Sequence, residues 1–107
     1  MLIPHELEKS LEKFRDMNLI VEGKRDKEVL ESIGFENVFV IGGERLEDFV
    51  EKLPNDKEFV ILTDFDDEGE KKNKKLMKLL QKSKRKINFR LRVFFKKLFL
   101  VNKVEEV

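Results

Sequence analysis

Two acidic signatures hold the residues best suited to chemistry. Glu22 stands in Glu22-Gly23-Lys24-Arg25-Asp26, and Asp64 and Asp66 stand in Thr63-Asp64-Phe65-Asp66-Asp67-Glu68-Gly69-Glu70, each directly after a short apolar run. Asp64 and Asp66 are two apart, so in an extended segment their side chains point the same way while Asp67 points away. Glu22, at the carboxyl end of a neighbouring parallel strand, would bring a third carboxylate to the same crevice. Hard oxygen donors of this kind suit Mg²⁺ or Mn²⁺, which keep several waters and take one or two protein carboxylates plus substrate phosphates. The chemistry that needs such a site is phosphoryl or nucleotidyl transfer.

The flanking residues have plainer readings beside the functional ones. Asp67 and Glu68 read as solvated loop, and Glu70 reads equally as a first-turn acid favoured by the helix dipole or as a secondary acidic group of the site. Lys24 and Arg25 are positioned to contact phosphate or simply to open a helix in solvent. Asp26 fits a first helical turn, and Gly42-Gly43 fits a turn. The lone His5 has no partner pattern around it and reads as a surface or capping residue.

Elements that could position these groups follow from apolar spacing. Leu7, Leu11 and Phe14 share one face of a helix expected over Pro4 to Phe14. Asn18-Leu19-Ile20-Val21 reads as a strand buried on both faces, and Val38-Phe39-Val40-Ile41 and Phe59-Val60-Ile61-Leu62 read as the second and third strands. Between them, Arg25 to Ile33 reads as a helix stopped by Gly34, and Leu46, Phe49, Val50 and Leu53 repeat at helical spacing up to Pro54. After Gly69, Leu76, Met77, Leu79 and Leu80 form the narrow apolar stripe of a long lysine-rich helix. The last stretch is ambiguous: Ile87, Phe89, Leu91 and Val93 alternate like a strand, while Leu91, Phe94, Phe95, Leu98 and Phe99 recur like a helix. The longer helical series favours a helix from Asn88, a good N-cap, to Leu100. Val104 to Val107 reads as the start of a further strand, with no terminator after it, as a cut end would leave. Strands alternating with helices predict a small Rossmann-like α/β domain of three layers, with a mostly parallel four-stranded sheet.

Composition narrows the function further. The 107 residues suit one domain, with a core over about 17–83 and a basic helical extension over about 84–103. Cys, Trp and Tyr are all 0, which removes disulfides, thiolate zinc sites, and cysteine or tyrosine nucleophiles. No apolar run approaches the roughly 20 residues that span a bilayer, and Met1-Leu2-Ile3-Pro4 is followed at once by charge, which together imply a soluble, cytoplasmic protein. At 42% charged, the chain resembles the charge-rich proteins of hot-living organisms.

The net charge of +1 conceals a division along the chain. Residues 1–70 carry 20 of the 22 acidic and 9 of the 23 basic residues, a net of about −11, whereas residues 71–103 carry 14 basic residues and no acid. Lys71, Lys72, Lys74, Lys75 and Lys78 read as a solvated helix face. Lys84, Arg85, Lys86, Arg90, Arg92, Lys96 and Lys97 are candidates for binding a nucleic-acid backbone. Phe89, Phe94, Phe95 and Phe99 read first as core or interface packing, including a homodimer contact through this segment, and second as stacking platforms for bases.

The signatures together resemble a known family. Val21-Glu22-Gly23 with Asp26, then Gly42-Gly43, then Thr63-Asp64-Phe65-Asp66 with Glu68-Gly69-Glu70, is similar to the Toprim domain of topoisomerases, bacterial primases, OLD-type nucleases and recombination proteins, over roughly residues 17–83. Beyond that core the likeness is to small stand-alone Toprim proteins of archaea and bacteria. The resemblance implies that Glu22 is the family's general acid or base, that Asp64 and Asp66 coordinate Mg²⁺, and that Glu70 matches a further glutamate of topoisomerases. Asp67 departs from the topoisomerase pattern, which commonly has arginine there. Lacking tyrosine, the chain cannot follow the topoisomerase route, and lacking cysteines and length it cannot carry the additional modules of bacterial primases. What the resemblance leaves is attack by water or a substrate hydroxyl, as in the Toprim nuclease that matures 5S ribosomal RNA.

The expectation is therefore Mg²⁺- or Mn²⁺-dependent chemistry on a DNA or RNA phosphodiester, with Glu22, Asp64 and Asp66 as catalytic and metal-binding residues. Two alternatives stand beside it. One is a non-catalytic nucleic-acid-binding or ribosome-associated module. The other is a receiver-like phosphoacceptor, from which the expected acidic pair after the first strand is missing because Gly23 follows Glu22.

Overall fold

The structure is a computed structural model that describes residue 9 and residues 11–105, with side chains through Lys97. The strands are β1 (Asn18–Val21), β2 (Val38–Val40) and β3 (Phe59–Leu62), and the helices are α1 (Lys24–Ser32), α2 (Leu46–Glu51), α3 (Asp67–Lys82) and α4 (Arg90–Glu105). Among the described residues no helix is long and apolar enough to cross a membrane. The expected helix over Pro4 to Phe14 lies mostly outside the described residues, as does His5; Leu11 and Phe14, at its end, are buried.

The sheet is parallel in the order β2-β1-β3. Ile20 pairs with Phe39 on one side and Ile61 on the other. Because side chains alternate across the sheet, each strand feeds two cores. Leu19, Val21, Val38 and Val60 face a layer completed by Leu30 of α1, Leu91 and Phe95 of α4, and Leu11, Phe14 and Phe35. Ile20, Phe59 and Ile61 face the opposite layer, with Phe49 and Val50 of α2 and Leu76 and Leu80 of α3. Helices on both faces explain why every residue of β1 is buried and why the strands read as unbroken apolar runs.

The termini of the elements follow local chemistry. At the start of α1, the Gly23 N–H donates to Asp26 Oδ2 at 3.1 Å, so Asp26 closes the first turn. At its end, Gly34 adopts φ 102°, the Phe35 N–H reaches back to the Leu30 carbonyl at 3.1 Å, and Phe35 is driven into the core.

Among the described residues the sheet has three strands, not four. Lys84, at φ 62°, turns the chain after α3, and residues 86–88 then bridge β3 only at Phe59. Phe59 N–H donates to the Lys86 carbonyl and Asn88 N–H to the Phe59 carbonyl, both at 2.8 Å. Pairing stops there because Asn88 Oδ1 accepts the Arg90 N–H at 2.9 Å and leads the chain into α4, whose Leu91 and Phe95 need the sheet face. The strand-like alternation around Ile87 is thus a single bridge. Val104 and Glu105, expected to begin a strand, continue α4.

Candidate functional site

Strand order fixes where a site can form. β1 connects through α1 to β2 on one side, and the chain returns through α2 to β3 on the other, so a crevice opens between the carboxyl ends of β1 and β3. Glu22 is the first residue after β1, and Thr63 and Asp64 are the first after β3. Val21 pairs with Leu62, which brings Glu22 and Asp64 to the same level of the sheet.

The two acids meet there. The Asp64 N–H donates to Glu22 Oε2 at 2.6 Å, and the carboxyl groups themselves lie against each other. Burial pushes the Asp64 carboxyl up, and so do its contact with Glu22 and the negative charges of Glu22, Asp26 and Asp66. Burial also pushes Glu22 up, but the Lys72 ammonium and the Asp64 N–H outweigh it and hold Glu22 below the ordinary range. Lys72 Nζ donates to Glu22 Oε1 at 2.5 Å. The pair therefore divides: Glu22 favours its ionised form, while Asp64 resists ionising beside it.

The loop from Thr63 to Glu70 is held by its own backbone. Asp66 is the N-cap of α3, its Oδ1 accepting the Gly69 N–H at 2.7 Å. Thr63, fully buried, donates from Oγ1 to the Gly69 carbonyl at 2.8 Å. Gly69 packs so close to β3's end that a Cβ there would lie 1.9 Å from the Asp64 carbonyl oxygen, so this position excludes every larger residue.

Arg92 of α4 clamps the same loop from the other side of the sheet edge. Its Nη1 donates to the Ile61 and Thr63 carbonyls at 3.1 and 2.8 Å, and its Nη2 donates to the Asp64 carbonyl at 3.3 Å and to Glu70 Oε1. Its guanidinium also lies 5.0 Å from the Phe65 ring centroid. That hydrogen bond and the positive charges nearby hold the Glu70 carboxyl below its ordinary range.

These contacts place the expected site residues as follows. Glu22 and Asp64 come together across 42 residues of chain. Asp66 stands beside them, close enough for its charge to act on Asp64, with one carboxylate oxygen engaged in the helix cap. Among the described residues, no three carboxylates are grouped as a metal cage. Glu70 binds Arg92 rather than facing the crevice as a further acidic ligand.

The basic candidates also divide. Lys24, Arg25, Lys84, Lys86, Arg90, Lys96 and Lys97 are exposed. Arg92 is 8% exposed and is a structural clamp, not part of a surface for phosphate, because its guanidinium satisfies the carbonyls at the end of β3. Arg85 is also committed to the fold, donating to the Leu53 and Pro54 carbonyls at 2.5 and 3.1 Å. Of the phenylalanines, Phe95 is core and Phe89 is 48% exposed, while the Phe99 side chain lies outside the described residues.

Lys72 is the residue that sequence reading assigned to solvent and the structure places in the site. The signal was present: Gly69, Lys72, Leu76 and Leu80 fall on one stripe of α3, and the other three are buried. A lysine on that stripe, one turn from the helix start, points at the carboxyl edge of the sheet.

The donor set fits a divalent cation. Two hard carboxylates in contact, with a third acid beside them, leave more negative charge than one lysine neutralises, and Mg²⁺ needs only one or two protein carboxylates.

A parallel α/β domain with acids at the switch point of its sheet is thus the class defined by fold and site. The chain belongs to the Toprim family, whose Toprim-domain model matches residues 18–90. Toprim domains are associated with metal-dependent nucleic-acid chemistry and with Mg²⁺ or Mn²⁺. The chain is similar to a UPF0292 protein of Pyrococcus furiosus, 38% identical over 76 residues, a match that covers 68% of this chain and 58% of that protein. It thus spans under two thirds of that relative's length. It is also similar to a solved structure of a protein from Aquifex aeolicus, with a TM-score of 0.74, 34% identity, and coverage of 89% of this chain and 93% of the other.

Proposed function

We propose that the chain performs Mg²⁺- or Mn²⁺-dependent chemistry on a nucleic-acid phosphodiester, of nuclease or nucleotidyl-transfer type, in RNA processing or DNA repair within a reducing cell interior. The observation that supports this reading is the contact of Glu22 with Asp64 at the switch point of the sheet. Glu22 and Asp64 would hold the cation, with the second carboxylate oxygen of Asp66 beside them. Bound there, the metal would offset charge on the scissile phosphate. Glu22 takes the role of proton acceptor from its match to the family's glutamate, and its neighbours keep it in the ionised form which that role requires. With 0 Tyr the topoisomerase route is closed, and the proposed attacking group is water or a substrate hydroxyl, as the family resemblance implies. The exposed cations Lys24 and Arg25 beside the crevice, and Lys84, Lys86, Arg90, Lys96 and Lys97 beyond it, would hold the backbone of the nucleic acid. The charge-rich composition suits a thermophile.

Incubating the protein with single- and double-stranded DNA and RNA in Mg²⁺ or Mn²⁺ tests the reading. Cleavage or transfer that disappears in Asp64→Asn is the expected result. No turnover on any substrate, with Asp64→Asn indistinguishable from wild type, contradicts it.

One observation favours a second reading, a non-catalytic nucleic-acid-binding module: Lys72 already neutralises Glu22. Steep salt dependence of binding with no metal dependence would support that reading.

A further inference from the structure

We infer that Lys72 is a resident counter-ion on Glu22 that a divalent cation must displace, so that this lysine sets how tightly the site holds its metal. The inference rests on the proposed function, and it concerns a residue that the acidic signatures do not include.

The geometry is specific. Glu22 has two carboxylate oxygens, and both are taken: Oε2 accepts the Asp64 N–H at 2.6 Å, and Oε1 accepts Lys72 Nζ at 2.5 Å. A cation seeking Glu22 therefore meets an ammonium already in contact with it, and two positive charges on one carboxylate oxygen repel. Lys72 has the freedom to leave. Its side chain is 41% exposed, whereas that of Glu22 is 17% exposed, so the lysine is the mobile member of the pair and the glutamate the fixed one.

Other lysines of α3 do not share this position. Lys71, Lys74, Lys75 and Lys78 are exposed, whereas Lys72 lies on the stripe of Gly69, Leu76 and Leu80. The remaining charge also matters. One ammonium stands against Glu22, Asp64 and the nearby Asp26 and Asp66, which leaves an unneutralised field that draws in a doubly charged ion. Lysine, a flexible point charge, releases a carboxylate more readily than arginine, whose fork would bind both oxygens.

Titrating Mn²⁺ into the wild type, Lys72→Met, Lys72→Arg and Asp64→Asn by calorimetry, without nucleic acid, tests the inference. Lys72→Met keeps the aliphatic length and removes the charge, and its fold is checked by circular dichroism and melting. The expected result is Mn²⁺ binding about two- to fivefold tighter in Lys72→Met than in wild type, the scale of one partly exposed ion pair, and no tighter in Lys72→Arg. A structural salt bridge alone would leave Lys72→Met binding Mn²⁺ no more tightly while lowering its melting temperature, and that outcome overturns the inference. If wild type binds Mn²⁺ in an Asp64-dependent way but Lys72→Met does not differ, the counter-ion role fails and the proposed function stands. If no variant binds Mn²⁺ at this site, both fail together.

Discussion

The backbone of Asp64 donates to the carboxylate of Glu22 at 2.6 Å, joining the carboxyl ends of β1 and β3 through a side chain rather than through the strand ladder. This bond aligns Glu22 and makes the position of one acid depend on the other. Glu22→Gln keeps an oxygen that can accept the Asp64 N–H but cannot accept a proton in its place. Its turnover on nucleic acid is expected to fall by about a hundredfold or more, the scale of a lost general base, with melting little changed. Single-turnover kinetics and circular dichroism of the same preparation check this.

Gly69→Ala is expected to destabilise the protein by about 1–3 kcal/mol, at the upper end because the added Cβ meets backbone, not a movable side chain. The clash falls on the Asp64 carbonyl, so metal binding should weaken along with stability. Urea unfolding with and without Mn²⁺ measures both.

Arg92 ties α4 to the end of β3, and removing it strands the Thr63 and Asp64 carbonyls and the Glu70 carboxylate. Arg92→Met is expected to cost about 1–3 kcal/mol, the scale of buried carbonyls left without a donor, because the Glu70 side chain is 35% exposed and water can take up its charge. Arg92→Lys, which keeps charge but loses the fork, should fall between this variant and wild type in chemical denaturation.

The same pair gives a pH dependence with a defined sign. Hydrogen bonding to Arg92 holds the Glu70 carboxyl below its ordinary value of 4.5, so the unfolded chain binds more protons than the folded one as acid is added. The stabilisation is present above that ordinary value and is lost as pH falls through the lowered folded value. Melting temperature measured against pH should therefore drop in the acid range for wild type, and the drop should be shallower in Arg92→Met.

For binding, exposed and committed cations should behave differently. Replacing Lys84, Lys86, Arg90, Lys96 or Lys97 with Ala should weaken nucleic-acid binding across sequences and reduce the salt slope by about one per phosphate contact. Arg85→Ala, which frees the Leu53 and Pro54 carbonyls, should lower stability without that change of slope. Fluorescence anisotropy over a salt series separates the two classes.

Much of this was legible in the chain because local signals and burial agreed. The runs Asn18 to Val21 and Phe59 to Leu62 could be buried on both faces only in a parallel sheet, and their ends then fixed Glu22 beside Asp64. The segment around Ile87 was not legible, since its alternation supports a strand while the Phe94 and Phe95 spacing supports a helix, and only the demand for Leu91 and Phe95 in the core decides between them. Arg92 looked like one more base in an acid-free run. Its role depends on the Thr63 and Asp64 carbonyls lying beneath it, a relation between distant segments that no spacing encodes. Lys72 differed from its neighbours only by helical phase.

The central claim is that Glu22 and Asp64 together bind a divalent cation. Crystals soaked in Mn²⁺ and measured at the manganese absorption edge test it most directly. An anomalous peak between the two carboxylates, with the Lys72 ammonium moved off Glu22, is the expected result. Full-occupancy binding elsewhere, or no peak while Lys72 stays on Glu22, contradicts the account.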